Sequence, residues 1–207
     1  MNRLFVLLAA AVASGCASMN QQYHDITPEV KYPVRGKVAV AVHDQRPEVV
    51  SGKKPESFAG LTRGGYGNPF DVMTQSGQPL AKEFQNSIAT ALTRAGAQVV
   101  RVDLKPTATP DEARRQLAAA GADKALLLNL RLWRADTYLN VNLDHDVLLT
   151  VFGPRGRVLA TRELKGAERI GASALNPVGA SLEAVPVAYR RKLEELLATP
   201  AVANALR

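Results

Sequence analysis

The sequence predicts an α+β fold: a two-layer α/β sandwich with one mixed sheet, helices on one face, in the order β-α-β-α-β-β-β-α. Three observations carry it. A Val-alternating strand, an amphipathic helix and a second short strand follow one another over 37–102, the order of a right-handed parallel crossover. Three long alternating segments with short connections fill 124–166, as in an antiparallel meander. The chain then closes on an amphipathic helix, so helices are available to cover one sheet face.

The first strand is predicted over 37–43, where Val38, Val40 and Val42 alternate with smaller residues. The stretch 45–78 carries Gly52, Gly60, Gly64, Gly65, Gly67 and Gly77 with Pro47, Pro55 and Pro69, and reads as one long irregular loop. Pro79 opens a helix with Leu80, Phe84, Ile88, Ala91, Leu92 and Ala95 on one face, and Gly96 ends it. A short strand over 97–102 follows. Thr109-Pro110-Asp111-Glu112 combines a capping residue, proline and two acids, and starts a helix that stops at Gly121.

The strand over 124–137 places Leu126, Leu128, Leu130 and Leu132 on one face, with Asn129, Arg131 and Trp133 on the other. The next, over 140–152, sets Val141, Leu143, His145, Val147, Leu149 and Val151 against Asn142, Asp144, Asp146 and Thr150. Pro154-Arg155-Gly156 makes a turn into a strand over 157–166. The last helix is expected over 186–198, sharing Val185, Ala188, Tyr189, Leu193 and Leu196 on one face, and Thr199-Pro200 starts a short final turn.

Ahead of this domain, Arg3 precedes the apolar run 4–15, which is followed by Cys16, the only cysteine of the chain. Such a segment reads as a signal peptide and is too short for a permanent membrane span. No disulfide can form within one chain carrying one cysteine, so the domain must stand on its core. Cleavage between Gly15 and Cys16 would remove one charged residue, Arg3, from a chain of formal net charge +7. A balance of +6 suits anionic surfaces such as lipid headgroups, lipopolysaccharide or a polyanionic wall polymer, and export argues against nucleic acid. Residues 16–36 are polar and proline-interrupted, and are expected to form a tether that lets a domain over 37–207 stand off a surface.

The residues Ala13-Ser14-Gly15-Cys16 resemble the lipobox of bacterial lipoproteins, in which the peptide is cut before the cysteine and the thiol carries a diacylglycerol. Ordinary secretory cleavage after the same small residues is the alternative, leaving an unanchored periplasmic protein. The chain as a whole is similar to bacterial lipoproteins of the YajG type. The similarity rests on the signal with Cys16, on Val42-His43-Asp44-Gln45-Arg46-Pro47 at the end of the first strand, and on the helix leading through Gly96 to a second strand. It implies an outer-membrane lipoprotein facing the periplasm, with acyl chains such as palmitate on Cys16 and no established chemistry. Ala17 and Ser18 lack the Asp that marks inner-membrane retention in enteric lipoproteins.

Chemistry is sparse. His145 points to the opposite strand face from Asp144 and Asp146, so the three cannot converge on a metal. No Gly-x-Ser-x-Gly elbow occurs. Arg63-Gly64-Gly65-Tyr66-Gly67 lacks the Lys-Ser pair of a phosphate loop. No catalytic residue, metal or cofactor is expected, although a pocket joining His43, Asp44 and a loop residue would suggest a hydrolase. The expected role is a membrane-anchored, non-enzymatic accessory or interaction module in envelope assembly or transport, with an envelope protein as partner. The alternative is a binding protein for an envelope glycan or lipid, acting through the glycine-rich loop 60–77. Candidate contacts are Asp44, Arg46, Arg63, Tyr66, Phe70 and Trp133. Asp44 has a local reading too, bonding nearby backbone where Pro47 ends the strand. Trp133 marks a partner surface if it faces away from the helices, and otherwise packs beneath the loop. Exposed sheet edges leave homo-oligomerisation open.

Overall fold

The computed structural model describes residues 20–207. It is a mixed α/β structure with one curled, mixed, eight-stranded sheet and five helices. The strands are β1 (Asn20–Gln21), β2 (Lys37–Asp44), β3 (Phe58–Arg63), β4 (Pro69–Thr74), β5 (Gln98–Arg101), β6 (Lys124–Thr137), β7 (Asn140–Phe152) and β8 (Val158–Ala172). The helices are α1 (Pro47–Val50), α2 (Leu80–Arg94), α3 (Pro110–Ala119), α4 (Pro177–Leu197) and α5 (Pro200–Leu206).

The long strand β6 organises the sheet. One edge carries the antiparallel meander β6-β7-β8. The other edge is shared by two parallel strands, β2 over 124–130 and β3 over 135–137. Beyond them, β5 pairs with β2, β4 with β3, and β1 with β4. The expected crossover is present: β2, α2 and β5 form a parallel unit. The expected capping box is present as well, with Thr109 Oγ1 accepting from Glu112 N and the Glu112 carboxylate accepting from Thr109 N.

Four expectations need correction. First, helices do not sit on one face. Alternation in β2 sends Val38, Val40 and Val42 into the main core with α2, α4 and α5, and sends Ala39 and Ala41 to the opposite side, against Leu117 of α3, Leu127 and Phe152. Second, the stretch 45–78 is not one loop. It holds α1 and the β3–β4 hairpin, and its glycines do specific work. A Cβ on Gly60 would lie 2.2 Å from the carbonyl oxygen of Ala135, so only glycine lets β3 reach β6 there. Third, residues 20–36 do not hang free. Tyr23, Ile26, Tyr32 and Val34 belong to the main core, and the Tyr32 hydroxyl donates to the Leu197 carbonyl at 2.9 Å. Fourth, α4 starts at Pro177, with Asn176 Oδ1 accepting from Gly179 N at 2.9 Å, and Pro186 lies inside the helix rather than at its start.

Candidate functional site

The sequence-predicted site residues separate into three places. Cys16 and Gly15 lie outside the described residues.

Asp44 and Arg46 sit in the fork where β2 leaves β6 and β3 takes over. Both are buried, Arg46 completely. The guanidinium meets the carboxylate side-on, Nε to Oδ1 at 2.8 Å and Nη2 to Oδ2 at 2.6 Å. Its remaining reach goes to the carbonyls of Phe58 (2.5 Å) and Glu56 (3.2 Å), while Arg46 N donates to Asp44 Oδ1. The pair therefore pins the start of β3 to the end of β2, and Pro47 opens α1 directly after it. Nothing of this bidentate pair faces solvent, so the pair does not act as an exposed ligand clamp. Neighbouring His43 is equally occupied, with Nε2 at 3.2 Å from the Pro106 carbonyl and Nδ1 at 3.1 Å from Gln45 Nε2. Asp44 is spent on Arg46, and His43 on Pro106 and Gln45, so both side chains are committed to contacts within the fold.

Trp133 is in the core, not on a partner surface. The register between β6 and β7 slips between Leu130 and Leu132, and this bulge advances the strand phase by one residue. Leu126, Leu128 and Leu130 point inward before it; Trp133 and Ala135 point inward after it. Trp133 packs edge-to-face against Phe84 (centroids 5.0 Å apart) and Tyr189 (5.8 Å), and its Nε1 donates to the Tyr23 hydroxyl at 3.1 Å. Burial raises the pKa of the Tyr23 and Tyr189 hydroxyls well above the ordinary value. Asp144 faces outward from β7, as the alternation of that strand predicts, and pairs with Arg134, while Arg131 pairs with Glu163 of β8. His145 points inward; burial, then the nearby Lys192 ammonium, lower its pKa.

Arg63, Tyr66 and Phe70 come together at the tip of the β3–β4 hairpin. The Arg63 guanidinium lies side-on to Asp136 of β6, at 2.8 and 2.6 Å, and this contact raises its pKa. The cation is thus paired within the fold. Tyr66 is 98% exposed and Phe70 57%. The β6–β7 turn stands beside this tip, and the Tyr138 hydroxyl donates to the Gly65 carbonyl at 3.2 Å. Leu139 in the same turn is exposed, and its carbonyl accepts from Ser173 N, which brings exposed Leu175 and Val178 to the same end. Sequence reasoning singled out Tyr66 and Phe70 and missed Leu139, Leu175 and Val178. The available signal was a Tyr138-Leu139 pair in a turn, where polar residues are the rule.

The opposite end of β6 holds a cavity of about 180 Å³ between α3 and the turn after β7. Leu117 and Phe152 floor it, and Arg114, Lys124 and Arg155 edge it with no ion-pair partner among the described residues. Burial lowers the Lys124 pKa. Among the described residues there is no group of three His, Cys, Asp or Glu side chains placed to hold a metal ion. No helix among them is long and apolar enough to cross a membrane.

No family model matches the chain, and no curated protein matches it. Solved structures do. A Xanthomonas campestris protein of the family-model DUF330 superposes with a TM-score of 0.57 at 15% identity, over 89% of this chain and 96% of that one. The likeness is one of fold. The lipoprotein GNA1162 of Neisseria meningitidis matches at a TM-score of 0.29 and 15% identity, over 76% of this chain and 99% of its own. The C-terminal domain of LpoB from Salmonella enterica matches at 0.32 and 12%, over 68% and 87%.

Proposed function

We propose that this chain is an envelope lipoprotein anchored through Cys16, whose domain serves as a non-enzymatic interaction module in envelope assembly or transport, on the periplasmic side of the outer membrane. One observation carries the reading: the only cysteine of the chain stands at the end of an apolar leader, directly after Ala13-Ser14-Gly15. A lone thiol in an exported chain is a liability unless it has a use, and acylation gives it one. The geometry of the domain agrees. Asp44, His43 and Arg46 are consumed in structural bonds, and the exposed features are apolar side chains rather than reacting groups.

The experiment is intact mass spectrometry of protein extracted from membranes, wild type beside Cys16→Ala, with identification of what co-purifies. Acyl chains on the wild type alone, and a stoichiometric envelope partner, are the expected results. A wild-type mass corresponding to a free thiol refutes the anchor, and recovery without a stoichiometric partner counts against the module.

A further inference from the structure

We infer that the end of the domain built from the β3–β4 and β6–β7 turns rests in the headgroup layer of the lipid surface, so that the domain lies on the membrane instead of standing off it. The inference deepens the lipoprotein reading and depends on it.

The first argument is chain length. β1 runs parallel to β4, with Asn20 opposite Met73 and Gln21 opposite Thr74. β4 itself leads away from the hairpin tip, from Pro69 toward Thr74. The chain therefore enters β1 from the side of that tip. Only residues 17–19 separate Cys16 from Asn20, and four Cα–Cα steps reach at most about 14 Å. The four residue steps of β4 from Met73 back to Pro69 cover roughly 13 Å. The span available to an acylated Cys16 is thus comparable to the distance from Asn20 to Pro69, where the hairpin turn begins. A stand-off would need the chain after Asn20 to be free, and that chain is committed to the core through Tyr23, Ile26, Tyr32 and Val34.

The second argument is what that end displays. Ten large apolar side chains are exposed among the described residues, and six of them gather here: Tyr66, Phe70, Tyr138, Leu139, Leu175 and Val178. Aromatic side chains with a polar tip favour the membrane–water interface, where the ring is shielded and the hydroxyl stays wet. The two acids near the tip are neutralised, Asp136 by Arg63 and Asp71 by Lys54. Anionic headgroups would therefore meet no bare carboxylate from either. Interfacial amphipathic helices bury their apolar faces about 5–10 Å into the headgroup boundary, and the apolar side chains of this end would enter the same layer.

The test places one tryptophan reporter at a time in the full, lipidated protein. Trp133 is fully buried and is the only native tryptophan, so it gives a constant background. Tyr66→Trp and Leu175→Trp report the proposed contact, and Val158→Trp, exposed at the start of β8 near the opposite end of the meander, is the control. Each variant is reconstituted into vesicles of phosphatidylethanolamine and phosphatidylglycerol, with or without brominated acyl chains. The expected result is a blue shift and loss of emission on brominated lipid at positions 66 and 175, with neither at 158. Equal behaviour at all three positions, in protein whose mass carries acyl chains, overturns the orientation and leaves the anchor standing. Shielding of position 66 from iodide without quenching by brominated lipid assigns the surface to a protein or a second copy, and also overturns it. A mass without acyl chains overturns both readings.

Discussion

The Asp44–Arg46 pair offers a sharp test of how the sheet branches. In Asp44→Ala the guanidinium loses both carboxylate contacts and keeps only the carbonyls of Phe58 and Glu56. Arg46 has no exposed surface through which water could replace them. Removing one partner of a buried ion pair costs about 3–5 kcal/mol, since the remaining charge is left uncompensated. For a domain of this size each kcal/mol lowers Tm by roughly 2–4 °C, so the melting point should fall by about 6–20 °C. The assay is urea unfolding followed by Trp133 emission, with ΔG and m fitted separately. The double variant Asp44→Leu/Arg46→Met, which buries no charge, should be less damaging than Asp44→Ala. High salt should change neither result much, because buried pairs are weakly screened. A loss below about 1 kcal/mol in Asp44→Ala would refute the pin. So would a double variant no better than the single.

Three further outcomes follow from the same geometry. Gly60→Ala should destabilise by about 1–3 kcal/mol or more, because the new Cβ meets backbone of Ala135 and not a movable side chain; the fitted ΔG in urea checks it. Trp133→Phe should keep most of the packing and lose about 1 kcal/mol with the bond to the Tyr23 hydroxyl, while Trp133→Ala should cost roughly 3–5 kcal/mol; thermal unfolding by circular dichroism separates the two. His145 has a folded pKa below its ordinary 6.5, so the unfolded chain takes up the proton first. Its contribution to stability is present above pH 6.5 and is lost as pH falls below that value; Tm measured against pH should drop there in the wild type and drop less in His145→Gln.

Much of the fold is legible from periodicity, and the parts that are not have identifiable causes. β2, α2, β5, α3, β6, β7 and β8 as far as Gly166 follow from apolar spacing and from caps such as Thr109 with Glu112, whereas the stretch of β8 on to Ala172 is exposed or half-buried and shows no such spacing. β3 and β4 escape because Gly60, Gly64, Gly65 and Gly67 weaken any strand signal, yet Gly60 is glycine for the sake of the strand contact itself. Straight alternation through Arg131 puts Trp133 on the wrong face, because a bulge between Leu130 and Leu132 carries no mark in a single sequence. α4 begins more than two turns before the expected Pro186, because Pro186 reads as a first-turn residue while Asn176-Pro177 carries the actual cap. The candidate site was half legible. Tyr66 and Phe70 stand out among glycines, but their association with Tyr138 and Leu175 depends on strands whose pairing is a property of the whole sheet.

The buried segment 20–36 changes what Cys16 implies. With a tether, the lipid would fix only the address of the domain, and every face would be free to meet a partner. With Asn20 paired to Met73, an anchor at Cys16 would restrict orientation as well as address, because only three residues of sequence separate it from the sheet. On the proposed footing, β6 becomes a ruler. Its C-terminal turn carries Tyr138 and Leu139 at the lipid side, and its first residue, Lys124, borders the cavity edged by Arg114 and Arg155. Fourteen strand residues separate these ends by at most roughly 45 Å. The apolar end would then be occupied by lipid, and the cations Arg114, Lys124 and Arg155, without an ion-pair partner among the described residues, would face away from it at the far end of the sheet.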